Sequence, residues 1–145
     1  MIFCSSALEL ELNNNIIMNN LIVDAARDRI FLAFIVNKNI YTCSHENSKI
    51  NFEKLMVLIN ELLKNNKSSL DNIDAIYVNG GPGSFAGIRN SLSTIKALFL
   101  TKKIDYYCFS FQDFKESEAT KYTDVPQLCE KYKIKKNLIN PIYLS

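Results

Sequence analysis

The stretch 79-NGGPGSFAGIRNS-91, entered from the short apolar run 75-AIYV-78, holds all four glycines of this 145-residue chain: Gly80, Gly81, Gly83 and Gly87. Glycine gathered at one place marks backbone that turns sharply or approaches something closely. A strand that runs through such a loop into a helix leaves free N–H groups at the helix N-terminus, a geometry that can hold phosphate or carboxylate. The nucleotide signatures that exploit this geometry are missing. A Walker loop needs Gly-Lys-Ser/Thr, whereas Gly87 is followed by Ile88 and Arg89. A dinucleotide loop continuing from Gly81-Pro82-Gly83 wants glycine at 86 and meets Ala86. The plainer reading is a tight turn in which Pro82 fixes φ, Gly83 takes a positive φ and Ser84 caps the helix.

Working outward, the loop opens a helix over 85-FAGIRNSLSTIKALFLT-101, and the run 105-DYYCFS-110 after it reads as a strand. Upstream, 21-LIVDAA-26, 29-RIFLAFIV-36 and 40-IYTCS-44 are strand-like, the last two joined by the turn residues 37-NKN-39. Between this meander and the glycine loop, 52-FEKLMVLINELLK-64 places Phe52, Leu55, Met56, Ile59, Leu62 and Leu63 on one helical face, with Asn51 as its expected N-cap. The order βββαβαβ predicts an α/β fold with a mixed five-stranded sheet: an antiparallel meander followed by parallel strands, with helices on the sheet. That is the layout of ribonuclease H-like and actin-like ATPase domains. The division expected is an N-terminal extension over 1–19 without regular order, the α/β lobe over 20–114, and a tail over 115–145. The tail is expected to carry a short helix near 126-PQLCEKYK-133 and an apolar end docking back on the sheet.

Composition narrows the chemistry. With 48% hydrophobic residues and a net charge of +2, the chain suits one core and shows no dense basic patch for nucleic acid. Cys4, Cys43, Cys108 and Cys129 form no CxxC, and His45 is the single histidine, so no metal site is expected; Cys43 and Cys108 read as buried reduced thiols. Neither an 18-residue apolar run nor a signal peptide occurs, which predicts a cytoplasmic protein. Asp24 lacks the companion carboxylates that a two-metal nuclease requires, Asp28, Asp71 and Asp74 falling in or near connections. Ser84 lacks the G-x-S-x-G elbow of a nucleophile. No catalytic residue, cofactor-binding residue or cofactor is expected.

The helices are more informative. On the first, Leu58 widens the apolar arc and Val57 projects to the opposite side. On the second, Phe85, Ile88, Leu92, Ile95 and Phe99 form the face for the sheet, while Ala86, Asn90, Ser93, Thr94 and Ala97 occupy the other side. Between Asn90 and Thr101 the sole charge is Lys96, too few for a flank in free contact with water. Either the first helix covers it within the chain or another polypeptide does.

The motif 81-GPGSFAGIR-89, followed by 91-SLSTIKAL-98, resembles the signature of the TsaB family, the non-catalytic paralogues of TsaD in the bacterial machinery that makes N6-threonylcarbamoyladenosine at position 37 of transfer RNA. The flanks 21-LIVDAA-26, 55-LMVLINELL-63, 73-IDAIYVNGGPGS-84 and 109-FSFQDF-114 agree, as does the closing 141-PIYL-144, so the likeness covers about 20–114 and then the last residues. It implies an actin-like (ASKHA) fold and a heterodimer with a TsaD-like catalytic subunit through the two helices. It further implies a TsaE-like ATPase that joins the assembled pair, and transfer RNA reached only through the complex. On that basis the expected partner contacts are Met56, Val57, Ile59 and Leu63 on the first helix, and Asn90, Ser93, Thr94 and Ala97 on the second. Arg89 would pair with a partner carboxylate, and Gly81, Pro82, Gly83, Ser84 and Gly87 would shape a former phosphate-binding turn that now positions a helix. Three departures stand out: Asp24-Ala25-Ala26 where the family usually has Asp-Thr-Ser, Ala86 where threonine is common, and most of the second domain missing. The alternatives are a homodimeric interaction module, separable by ultracentrifugation, and an ASKHA-type ATPase or peptidase-like enzyme, separable by titration with ATP or metal.

Overall fold

A computed structural model of the chain describes residues 18–115 and 121–143. The extension expected over 1–19 lies outside these residues except for Met18 and Asn19, and Asn19 already begins the first strand. Five strands form one sheet: β1 (Asn19–Asp24), β2 (Arg29–Val36), β3 (Asn39–Glu46), β4 (Ala75–Asn79) and β5 (Asp105–Phe109), in the spatial order β3-β2-β1-β4-β5. β1 pairs antiparallel with β2 and β2 with β3, while β1/β4 and β4/β5 are parallel. The mixed sheet and the order of elements are therefore those expected from the sequence.

The central strand β1 is apolar at consecutive positions because both of its faces are covered. Leu21 and Val23 point into one core with Leu32, Ile76 and Val78, and Ile22 points into a second core with Ala33, Ala75 and Tyr77. β3 is an edge strand and mostly exposed, which leaves Cys43 half-buried rather than buried as expected; Cys108, on β5, is buried.

All the long helices lie on the first face. The segment read as one helix is two: α1 (Lys49–Glu53) and α2 (Leu55–Asn65), separated by Lys54 at φ −100° and ψ 13°. Ser48, not Asn51, caps α1, its hydroxyl accepting from the Asn51 N–H at 3.2 Å; the Asn51 side chain instead donates to the Glu46 carbonyl at 2.7 Å. α2 buries Leu55, Leu58, Ile59, Leu62 and Leu63. After β4, α3 (Phe85–Lys102) runs 18 residues and buries Ile88, Leu92, Ile95 and Leu98 on the same core. Phe85, expected on that face, is 51% exposed, because the first turn of α3 overhangs the sheet and its ring meets Tyr143 of the tail at 4.7 Å.

The tail builds the third layer. α4 (Val125–Lys131) sends Val125 and Cys129 into the second core, with Phe109 and Phe114 beside them. The chain then follows β5, where the Asn137 N–H donates to the Tyr106 carbonyl at 2.7 Å and the Asn137 side-chain carbonyl accepts from the Tyr106 N–H at 2.9 Å. At Ile142 and Tyr143 it lies beside the glycine loop, with the Ile142 N–H on the Gly80 carbonyl at 2.7 Å and Tyr143 bridged to Gly83. The expected docking of the apolar end is thus present, as an edge contact with β5 and the loop.

Candidate partner-binding surface

The glycine loop approaches its own chain. A Cβ placed on Gly83 would stand 2.0 Å from the Ala26 carbonyl oxygen, and one on Gly87 would stand 1.9 Å from that of Ala25. The end of β1 and the start of α3 touch backbone to backbone, which no larger residue permits. The positive φ belongs to Gly81, at 118°, and not to Gly83 as expected; the Gly81–Pro82 peptide is cis. Ser84 does cap α3, accepting from the Gly87 N–H at 3.3 Å. The loop's donors are largely engaged inside the chain: the Gly80 N–H on the Phe109 carbonyl, the Gly81 N–H on the Asn79 side chain at 2.9 Å, and the Ser84 N–H on the Ala26 carbonyl at 3.0 Å. Donors so engaged are not free to cradle an anion. The loop's effect is to fix the position and tilt of α3.

Asp24, at the end of β1, is 1% exposed and fully employed: it accepts from the Tyr122 hydroxyl at 2.5 Å and from the Ala26 N–H at 3.1 Å, with the Arg27 guanidinium 3.8 Å away. Tyr122 stacks on Phe31 with ring centroids 4.2 Å apart, and Arg27 lies over Phe111 at 4.9 Å. Burial, and then the Asp24 charge, push the Tyr122 hydroxyl pKa up, so it stays a donor. This cluster is a clasp between β1 and the tail. Sequence reasoning did not foresee it, since nothing local pairs Asp24 with a tyrosine 98 positions away.

Nucleophiles are muted as well. Burial raises the thiols of Cys43 and Cys108 above their ordinary value, and pushes that of Cys129 up to about 12. Among the described residues, no group of three His, Cys, Asp or Glu side chains could hold a metal ion. None of the described helices is long and apolar enough to cross a membrane.

What the molecule does present is the outward side of α3. Ala86, Arg89, Ser93 and Ala97 are exposed, Asn90 and Thr94 half-buried, and at the helix ends Phe85 and Leu100 stand 51% and 60% exposed. A groove of about 350 Å³ runs between this side and α1, lined by Lys49, Phe52 and Glu53 opposite Ala86 and Asn90. A second, of about 420 Å³, runs between Ala97 and Leu100 on one wall and Ile139 and Tyr143 of the tail on the other. Arg89 and Ser93 line both grooves, so α3 is a ridge with a trough on either side. Thr94 turns its hydroxyl onto the Asn90 carbonyl at 3.0 Å, and no described side chain hydrogen-bonds the Asn90 side-chain oxygen.

The expected contacts on the first helix need correction. Ile59 and Leu63 are both 0% exposed and belong to the core under the sheet. Their apolarity is accounted for by β2, β3 and α3, because α2 is enclosed over a wide arc and its i, i+3, i+4 stripe points inward. Met56 is half-buried against the same core, and only Val57 stands exposed. Phe85, Leu100, Ile139 and Tyr143 were not among the expected contacts. Phe85 was assigned to the core by periodicity, and no spacing rule brings the tail beside α3.

Comparison with known proteins adds a lineage. A family model described as TsaD, tRNA N6-adenosine threonylcarbamoyltransferase, matches residues 45–112. The chain is similar to the tRNA threonylcarbamoyladenosine biosynthesis protein TsaB of Buchnera aphidicola subsp. Schizaphis graminum (strain Sg), 31% identical over 90 residues, covering 62% of this chain and 43% of that protein. Against the TsaB of Buchnera aphidicola subsp. Baizongia pistaciae (strain Bp) it is 34% identical over 83 residues, covering 50% of this chain and 38% of that protein. It spans less than half the length of either curated relative. Among solved structures it is similar to YeaZ from Pseudomonas aeruginosa, with a TM-score of 0.60 at 19% identity over 64% of this chain and 44% of that one, a likeness that carries the fold.

Proposed function

We propose that the chain, similar to curated TsaB proteins over 62% and 50% of its length, is a TsaB-type subunit that serves tRNA threonylcarbamoyladenosine biosynthesis with no chemistry of its own. It docks a TsaD-like catalytic subunit through the outward side of α3. The contacts are Ser93, Ala97, Arg89 and Asn90 with Thr94 behind them, and Met56 and Val57 contribute from α2. Docking would hold the catalytic subunit in its active arrangement for transfer to adenosine 37, with a TsaE-like ATPase joining the pair and transfer RNA bound only through the complex. The observation that carries this reading is the ridge itself: a long helix that presents the small side chains of Ala86, Ser93 and Ala97, with Arg89 beside them and a trough on either side, lets a partner helix approach closely. The glycine loop, with the Gly80, Gly81 and Ser84 N–H groups engaged inside the chain, and the raised thiols support a role without catalysis.

Copurification with the catalytic paralogue at micromolar concentrations tests it, and the expected result is a stable complex. Ser93→Arg should abolish that complex and leave the circular dichroism spectrum unchanged. Absence of any complex with the unsubstituted chain refutes the reading. Undiminished binding by Ser93→Arg shows that another face is used.

A further inference from the structure

Two cations on this surface have no acid to answer them among the described residues. Arg89 and Lys96 lie seven residues apart on α3, two turns or about 10.5 Å along the axis, and so on the same side of the helix. Both line the trough between α3 and the tail. Among the described residues neither makes an ion pair, in contrast to Lys102, which meets Asp71 at 3.2 Å, and Lys136, which meets Asp105 at 3.6 Å. Their contacts are with rings: the Arg89 guanidinium lies 5.8 Å from the centre of Phe85, and the Lys96 ammonium 5.3 Å from that of Phe99. Glu53, in the other trough, is the one acid among the described residues that line either groove.

Resting on the reading above, we infer that the occupant of this trough is an acidic amphipathic helix of the partner. Its apolar stripe lies between Leu100, Ile139 and Tyr143, and it carries two carboxylates about two turns apart that meet Arg89 and Lys96. The tail is then a wall of the docking site as well as cover for the sheet edge. The same charges disfavour the simplest rival occupant. A twofold dimer brings this patch against its own copy, so the Arg89 and Lys96 of each copy would meet a surface on which Glu53 is the one acid among the described lining residues. Two cations against one carboxylate on each side leave excess positive charge at the contact, which opposes association. A nucleic-acid backbone fits poorly, since two cations set among Leu100, Ile139 and Tyr143 offer phosphates little and the exposed apolar side chains nothing.

The test is titration of the catalytic subunit with the unsubstituted chain, with Arg89→Glu/Lys96→Glu, and with Arg89→Lys/Lys96→Arg, each at low and high salt, alongside sedimentation of each chain alone. The expected result is a complex weakened at least tenfold by the double reversal at low salt, retained by the conservative pair, and converging with the unsubstituted chain as salt screens the charges. Alone, the unsubstituted chain should sediment as a monomer. A complex that forms but ignores the reversal overturns the inference and leaves the docking reading standing. Absence of any complex overturns both. A self-dimer dissolved by Ser93→Arg, or transfer RNA binding by the lone chain that the reversal abolishes, overturns the acidic-helix occupant.

Discussion

α2 and α3 share one face of one sheet, yet their outer sides differ. α2 buries five leucine and isoleucine side chains and turns Asn60, Glu61 and Lys64 to water, the usual arrangement of a surface helix. α3 buries a comparable stripe but turns out Ala86, Ser93 and Ala97, with Phe85 and Leu100 exposed at its ends. Between Phe85 and Leu100 that side carries two cations, Arg89 and Lys96, and the described chain flanks it with α1 and the tail without burying Ala86, Ser93 or Ala97. A helix whose inner face is satisfied and whose outer side is small and apolar with so few charges suits the docking proposed above.

Substitutions can break this contrast, and the largest effect falls inside. Ile59→Ala removes a side chain with no exposure and should lower the unfolding free energy by about 2–5 kcal/mol in a denaturant titration. A loss under 1 kcal/mol would mean that α2 is less enclosed than described. Gly87→Ala sets a methyl against the Ala25 carbonyl and should cost about 1–3 kcal/mol, displacing α3 and weakening partner binding in the same variant. Ser93→Arg, on the outer side, should alter stability by less than about 0.5 kcal/mol while removing the complex, which separates surface from core. Val57→Ala is the smallest: about 0.5 kcal/mol or less in stability, and a modest weakening of binding.

The tail side of the sheet offers a pH-dependent check. The folded chain holds the Cys129 thiol at about 12 against an ordinary 9.0, so its neutral form is favoured by folding. Its contribution to stability is complete below pH 9.0 and is lost as pH rises towards about 12. Stability should therefore fall across that window, and Cys129→Ala should shallow the slope. An unchanged slope would mean that Cys129 is not enclosed by the tail.

The succession of strands and helices along the chain, the helix over 85–101 and the Ser84 cap were legible because each is written in local periodicity and turn chemistry. The interruption at Lys54 was not, since its neighbours keep an unbroken helical pattern. Ile59 and Leu63 were assigned to a partner because an apolar arc looks the same whether a sheet or another protein covers it. Phe85 was assigned to the core for the converse reason: periodicity registers which side a residue lies on, not where the sheet beneath it ends. The glycines were legible as a point of close approach, but what they approach was not.

By itself the sequence determined the α/β order, the family likeness in the glycine motif, and the poverty of charge along one side of α3, all properties of short windows or of residues on one helix. Only the tertiary structure decided which apolar residues remain exposed, where the positive φ falls, that Tyr122 closes over Asp24, and that the tail forms a wall beside Arg89 and Lys96. These depend on contacts between segments tens of residues apart, and spacing along a chain does not encode which distant surfaces meet.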